Sequence, residues 1–235
     1  MSVFSERLII LLMCVTAVLL WGGCSSEDTS SNGASTENTR PIRKNKSPRH
    51  KLDKRERTFL IRGVKAIKQG SYRRALALAD SAEKYEPEAA VISFFRGSIY
   101  TAMNRLDAAR EAYRKALELN PRYPEARLRI GNNELQRGNL RRALQFFKAE
   151  EEISSSSNLY EQMGRVYSDL GRADSARVAY EKAIALDSTN ASAHMKFGQL
   201  VQKTGNIEDA LVHSRRALAL QPKNSNYQFA VGSQL

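Results

Sequence analysis

From about residue 56 to the carboxyl end, apolar side chains recur at helical spacing in short segments separated by polar turns. The segments come in pairs. The first of each pair carries a glycine near its middle: Gly63, Gly97, Gly131, Gly164 and Gly198, spaced 34, 34, 33 and 34 residues apart. Seven residues on stands a turn residue: Gly70, Asn104, Gly138, Gly171 or Gly205. Five further on comes an alanine of the second segment: Ala75, Ala109, Ala143, Ala176 or Ala210. A later column holds Ala82, Ala116, Glu150, Ala183 and Ala217. The pattern predicts first helices over about 57–69, 91–103, 125–137, 158–170 and 192–204. It predicts second helices over about 72–85, 106–119, 140–153, 173–186 and 207–220.

The glycine column asks for a physical reason. Glycine inside a helix costs about 1 kcal/mol against alanine. Five in register imply close approach of the paired second helix, with the alanine column serving the same end from the other side. Phe59, Tyr100, Tyr113, Phe147, Tyr167, Tyr180 and Phe197 are expected to fill the spaces between helices.

Two stretches carry a family resemblance most clearly. One is Gly97-Ser98-Ile99-Tyr100 followed by Ala109, Tyr113 and Pro121. The other is Met163-Gly164-Arg165-Val166-Tyr167 followed by Ala176 and Tyr180. They resemble the tetratricopeptide repeat. The resemblance implies an all-α fold, a right-handed superhelical solenoid of helix-turn-helix repeats, in which hairpins too small to bury their own apolar faces stack on one another. Five repeats are expected, over 56–89, 90–123, 124–156, 157–190 and 191–224, with a partial capping helix over 225–235. The third departs from the pattern: Glu150 replaces a small residue, and Ser154–Ser157 replaces the usual proline turn with one residue fewer.

The amino-terminal end is patterned differently. Leu8 to Trp21 is an uncharged apolar run of 14 residues. A bilayer span needs about 20, whereas a signal-peptide core needs fewer. Gly22, Gly23 and Cys24 follow. This segment resembles a bacterial lipoprotein signal peptide over 1–23, although Trp21 stands where a leucine is usual. The resemblance implies that Cys24 is the lipid attachment site. It also implies a bacterial cell-envelope protein, lipid-anchored in the outer membrane and facing the periplasm. The alternatives are an uncleaved anchor or an ordinary signal peptide cut near Gly23.

Residues 24–55 read as a disordered tether. The stretch 25–39 is rich in Ser, Thr and Asn and has no large apolar residue to bury. The stretch 40–57 carries nine Lys/Arg against Asp53 and Glu56, a net +7. As a flexible coil the tether reaches about 30 Å. Its basic half is a charged spacer or, alternatively, attracted to an anionic membrane surface.

Composition narrows the chemistry. The chain has 235 residues, 37 Lys+Arg against 25 Asp+Glu, and a formal net charge of +12. A nucleic-acid partner, which such a charge would permit, is not expected of an exported protein. Both cysteines, Cys14 and Cys24, lie in the first 24 residues, so the repeats can form no disulfide and no Cys-ligated zinc site. His50 lies in the tether, His194 sits where the repeat has a buried aromatic, and His213 is on a second helix. No two histidines share a helix at metal-ligand spacing. No nucleotide-binding glycine motif or nucleophile elbow occurs. No enzyme activity, metal or cofactor is therefore expected.

The resemblance implies a binding scaffold for a peptide or partner protein. The leading expectation is a membrane-tethered adaptor. The alternative is a fixed subunit of an envelope assembly machine, as in pilus-secretin pilotins or outer-membrane assembly lipoproteins. In this family the ligand groove is lined by first-helix residues. Mapped here, it offers Leu60, Ile61, Val64, Ile67, Phe94, Phe95, Leu128, Arg129, Asn132 and Arg165. The first two repeats would thus expose an apolar patch, a feature that marks a binding site. The occupants weighed are a partner's apolar segment, the chain's own tether, or a second copy in a homo-oligomer.

Overall fold

The computed structural model describes residues 54–234. The signal peptide, Cys24 and the tether up to residue 53 lie outside the described residues. Eleven α-helices and no strands occur among the described residues. They are α1 (Lys54–Lys68), α2 (Tyr72–Glu83), α3 (Ala90–Ala102), α4 (Leu106–Leu119), α5 (Ala126–Gln136), α6 (Leu140–Glu151), α7 (Ser157–Asp169), α8 (Ala173–Leu186), α9 (Ala191–Lys203), α10 (Ile207–Leu220) and α11 (Ser225–Gly232). Among them, no helix is long and apolar enough to cross a membrane.

The chain divides into two compact units, one ending at Tyr85 and the other spanning Glu86–Leu235. In the first, α1 packs on α2 as a hairpin. Its Phe59 ring stacks on Tyr85 with centroids 5.9 Å apart.

The second unit holds four further hairpins, α3–α4, α5–α6, α7–α8 and α9–α10. Each second helix also packs on the next first helix, as helical-repeat stacking requires. The turn column supplies the left-handed residue between the helices of a hairpin, with φ of 58° at Asn104 and 72° at Gly171. The last hairpin is closed by α11, whose Tyr227 is buried with Ala191, Met195 and Ala217.

The reason for the glycine column is visible in this unit. A side chain on Gly97 would collide with the Tyr113 ring, one on Gly131 with the Phe147 ring, and one on Gly164 with the Tyr180 ring. Each ring stands sixteen residues after its glycine. The aromatic of the second helix presses against the bare backbone of the first. Gly198 faces the smaller Ser214 instead, whose Oγ would lie 3.0 Å from an added Cβ.

The shortened junction between the third and fourth repeats is held by its serines. Ser156 takes the N-cap of α7, where its Oγ accepts a hydrogen bond from Leu159 N–H at 3.2 Å. Glu150 occupies its small-residue position by turning its carboxylate onto the start of α5. There its Oε1 accepts from the Glu125 N–H at 2.9 Å.

Candidate functional site

Four first helices of the second unit, α3, α5, α7 and α9, carry register-equivalent positions 33 or 34 residues apart. In the stack, α7 packs on both α5 and α9. The residue after each glycine forms the column Ser98, Asn132, Arg165, Gln199. The residue two before it gives Phe95, Arg129, Gln162, Lys196, and the residue five after it gives Ala102, Gln136, Asp169, Lys203. From the third repeat onward all three columns are polar.

These side chains reach solvent to different degrees. Arg165 is 54% exposed and lies 3.9 Å from Asp169, one turn along α7. Arg129 is more enclosed and its Nη2 donates to Glu125 Oε2 at 3.1 Å. Asn132 is half-buried, whereas Gln136, Lys196, Gln199 and Lys203 are exposed. Between α7 and α9, Glu161 accepts from Ser192 Oγ at 2.6 Å and from Asn190 Nδ2 at 3.1 Å. Asn190 Nδ2 also donates to Ser157 Oγ at 2.9 Å. This network ties the two first helices together beside the polar columns.

The expected apolar patch is not on the surface. Phe94 is 9% exposed and Phe95 5%. Leu60, Val64, Ile67 and Leu128 are buried as well. Of the apolar residues assigned to the groove, Ile61 alone faces solvent, at 54%. Helix geometry explains the error. Positions three before and four after a helical residue share its face. Leu60 and Ile67 therefore share the face of Gly63, Phe94 that of Gly97, and Leu128 that of Gly131, the side turned to the paired helix. The Phe94 ring lies 5.3 Å from Tyr113 and 5.0 Å from Tyr123. Leu128 belongs to a core with Leu135, Leu144 and Phe147. Val64 follows Leu60 by one turn on the buried stripe of α1. Phe95 lies on α3, which buries seven of its residues, including Ile92 and Ile99. A helix apolar nearly all round is a core helix.

Two buried acids were not assigned roles from sequence. Glu134 stands where neighbouring repeats have Tyr100 and Tyr167. Arg110 Nη1 lies 3.3 Å from its Oε1, and Asn139 Nδ2 donates to Oε2 at 2.8 Å. Burial alone would raise its pKa, but the hydrogen bonds from Asn139 and Arg110 win and hold it below the usual carboxylate range. Glu150 is the opposite case. Burial pushes it up, against the Glu125 N–H and the charge of Arg127.

His194 is buried, as its position in the repeat predicts. Its Nδ1 lies 3.0 Å from Nδ1 of His213, and its Nε2 lies 3.3 Å from the Ser188 carbonyl. Burial lowers both imidazoles below their ordinary value. Among the described residues, no three His, Cys, Asp or Glu side chains gather as a metal site.

Comparison with known proteins agrees with this architecture. The TPR repeat family profile matches residues 97–138 and 164–205. No curated protein matches the chain. Among solved structures, the chain is similar to TTC0263, a thermophilic TPR protein of Thermus thermophilus. That match has 24% identity and a TM-score of 0.62, over 76% of this chain and 98% of that one. It is also similar to YrrB, a TPR protein with an unusual peptide-binding site, at 20% identity and a TM-score of 0.56, over 66% and 81%. The pilF protein of Pseudomonas aeruginosa aligns at 16% identity with a TM-score of 0.67, over 78% and 90%. The chain therefore has the all-α solenoid fold of tetratricopeptide-repeat proteins.

Proposed function

We propose that the chain is a membrane-anchored, non-enzymatic scaffold that binds an extended segment of a partner protein across the first helices of its third to fifth repeats. The observation that carries this reading is the polar ladder Asn132, Arg165, Gln199, flanked by Arg129, Gln162 and Lys196. Side-chain amides match the alternating N–H and C=O groups of a peptide backbone, and guanidinium groups match carboxylates. Packed helices lie about 8–10 Å apart. Three residues of extended chain span about 10 Å, so one rung meets every third residue of the ligand. The exposed Lys196 and Lys203 favour a segment with carboxylates at that end. The peptide-binding site of YrrB, which shares this fold, supports a peptide as the class of ligand.

The anchor half of the proposal rests on sequence. The uncharged run from Leu8 to Trp21 followed by Gly23 and Cys24 supports lipidation at Cys24 and placement in the cell envelope, on the outer membrane facing the periplasm. The rival reading is a fixed subunit of an envelope assembly machine. A pull-down with the full chain under rising salt and detergent separates them. A partner that is lost at high salt, displaced by a peptide, and lost from an Asn132→Ala, Arg165→Glu variant supports the scaffold. A stoichiometric complex that survives both conditions and ignores the variant supports the subunit.

A further inference from the structure

A cavity of about 350 Å³ opens in the second unit beside α7, α8 and the end of α6, away from the polar ladder. Tyr160, Met163 and Tyr167 form its floor on α7, and Val178, Ala179 and Lys182 form its wall on α8. On α7 these floor residues lie roughly opposite Arg165, which follows Met163 by about 200° of helix rotation.

The neighbouring repeats show what fills such a space. Thirty-four residues on, the floor positions are His194, Phe197 and Val201, and the position of Ala179 is taken by His213. The His213 ring stacks on His194 with centroids 5.3 Å apart and meets Phe197 edge-on at 4.6 Å. Thirty-three residues earlier the same position is Phe146, packed against the cluster containing Ile130. The repeats on either side thus supply a ring from the second helix, whereas the fourth supplies only the methyl of Ala179.

The rim has its own chemistry. Tyr160 donates its hydroxyl proton to Glu151 Oε1 at 2.9 Å. Lys182 Nζ lies 3.7 Å from the same oxygen and 5.0 Å above the Tyr160 ring. Glu151 is therefore already engaged. Asp174 stands exposed at the mouth, in the first turn of α8. Among the described residues it belongs to no salt bridge within 4 Å.

We propose that this cavity is a second docking site, which accepts an aromatic side chain of a partner protein that carries a basic residue beside it. The ring takes the place that His213 and Phe146 occupy in the adjacent repeats, and the basic residue pairs with Asp174. The chain's own residues 25–53 contain no Phe, Tyr or Trp, so the tether does not supply this ring.

The test uses the full chain in detergent, with ¹³C-methyl methionine, titrated with N-acetyl-Lys-Trp-amide and, separately, N-acetyl-Glu-Trp-amide. The Met163 methyl resonance is assigned with Met163→Leu. It should shift saturably with the lysine dipeptide, and Asp174→Asn should weaken that binding several-fold. Ala179→Phe should abolish the shift by filling the space. Val178→Lys, at a solvent-facing position one turn from Asp174, should abolish it as well, by pairing with Asp174 and repelling the dipeptide's lysine. A shift that never saturates, that persists in both filled and charged variants, or that is stronger with the glutamate dipeptide overturns the proposal.

Discussion

A Cβ added to Gly164 would lie 2.7 Å from Cδ1 of Tyr180, well short of van der Waals contact distance. Tyr180 is buried and cannot swing aside, because the cluster containing Ala176, Phe197 and Leu200 closes around it. Glycine at 164 and an aromatic at 180 are therefore one structural choice made at two positions.

Gly164→Leu is accordingly expected to destabilise the fourth repeat by the cost of overpacking, about 1–3 kcal/mol. Thermal denaturation followed by circular dichroism reads this directly. Combining it with Tyr180→Ala should cost less than the sum of the two single changes, because the residues touch. Strict additivity would mean that the glycine does not serve the ring.

Phe94 provides the second test. Enclosed by Tyr113 and Tyr123, it should lose about 3–5 kcal/mol on truncation to alanine. The double change Phe94→Ala, Phe95→Ser should cost more, as both rings are buried. A near-wild-type melting curve would return these residues to the surface.

The paired imidazoles predict a pH dependence. With Nε2–H of His194 donated to the Ser188 carbonyl, its Nδ1 accepts a hydrogen bond from the Nδ1–H of His213. A second proton would set two N–H groups against each other. Burial lowers both pKa values. For His194 the charge of Arg216 adds to this, while the Ser188 carbonyl opposes it. For His213 the charge of His194 adds to it, while Asp209 and Glu181 oppose it. Below an unfolded value of about 6.5 the unfolded chain therefore binds more protons than the folded one. Stability should be full above that pH and fall as pH drops through and below it. Melting temperatures between pH 7 and pH 5 should decline more steeply in the wild type than in His213→Phe. Parallel declines would exclude the pair as the cause.

Lipidation has a separate readout. Cys24→Ala should abolish incorporation of a radiolabelled fatty acid and release the chain from membranes. Labelling that persists in the variant contradicts the anchor.

The repeat was legible because its constraints fall on small residues, whose spacing survives when everything else varies. Each helix end lies within about three residues of its expectation. The groove is not legible from the family resemblance, because the positions it turns outward fall here on apolar residues that share the glycine face. Simple helical phase relative to Gly63, Gly97 and Gly131 would have placed Leu60, Ile67, Phe94 and Leu128 inside. Burial of Glu134 and Glu150 was not legible, since their partners Arg110, Asn139 and the Glu125 N–H converge only in the folded stack. The cavity was latent in the columns. Comparing Ala179 with Phe146 and His213 would have exposed a missing ring, but only once all three were known to overhang equivalent floors.

A partner lying along the polar first-helix ladder is read by site-specific photo-crosslinking in living cells. A benzophenone amino acid placed in turn at Asn132, Arg165 and Gln199 should trap one and the same partner from all three positions. The same probe at Leu186, which is 52% exposed at the end of α8, should trap none of it. Crosslinks to that partner from Leu186 but not from the ladder would place the binding surface elsewhere.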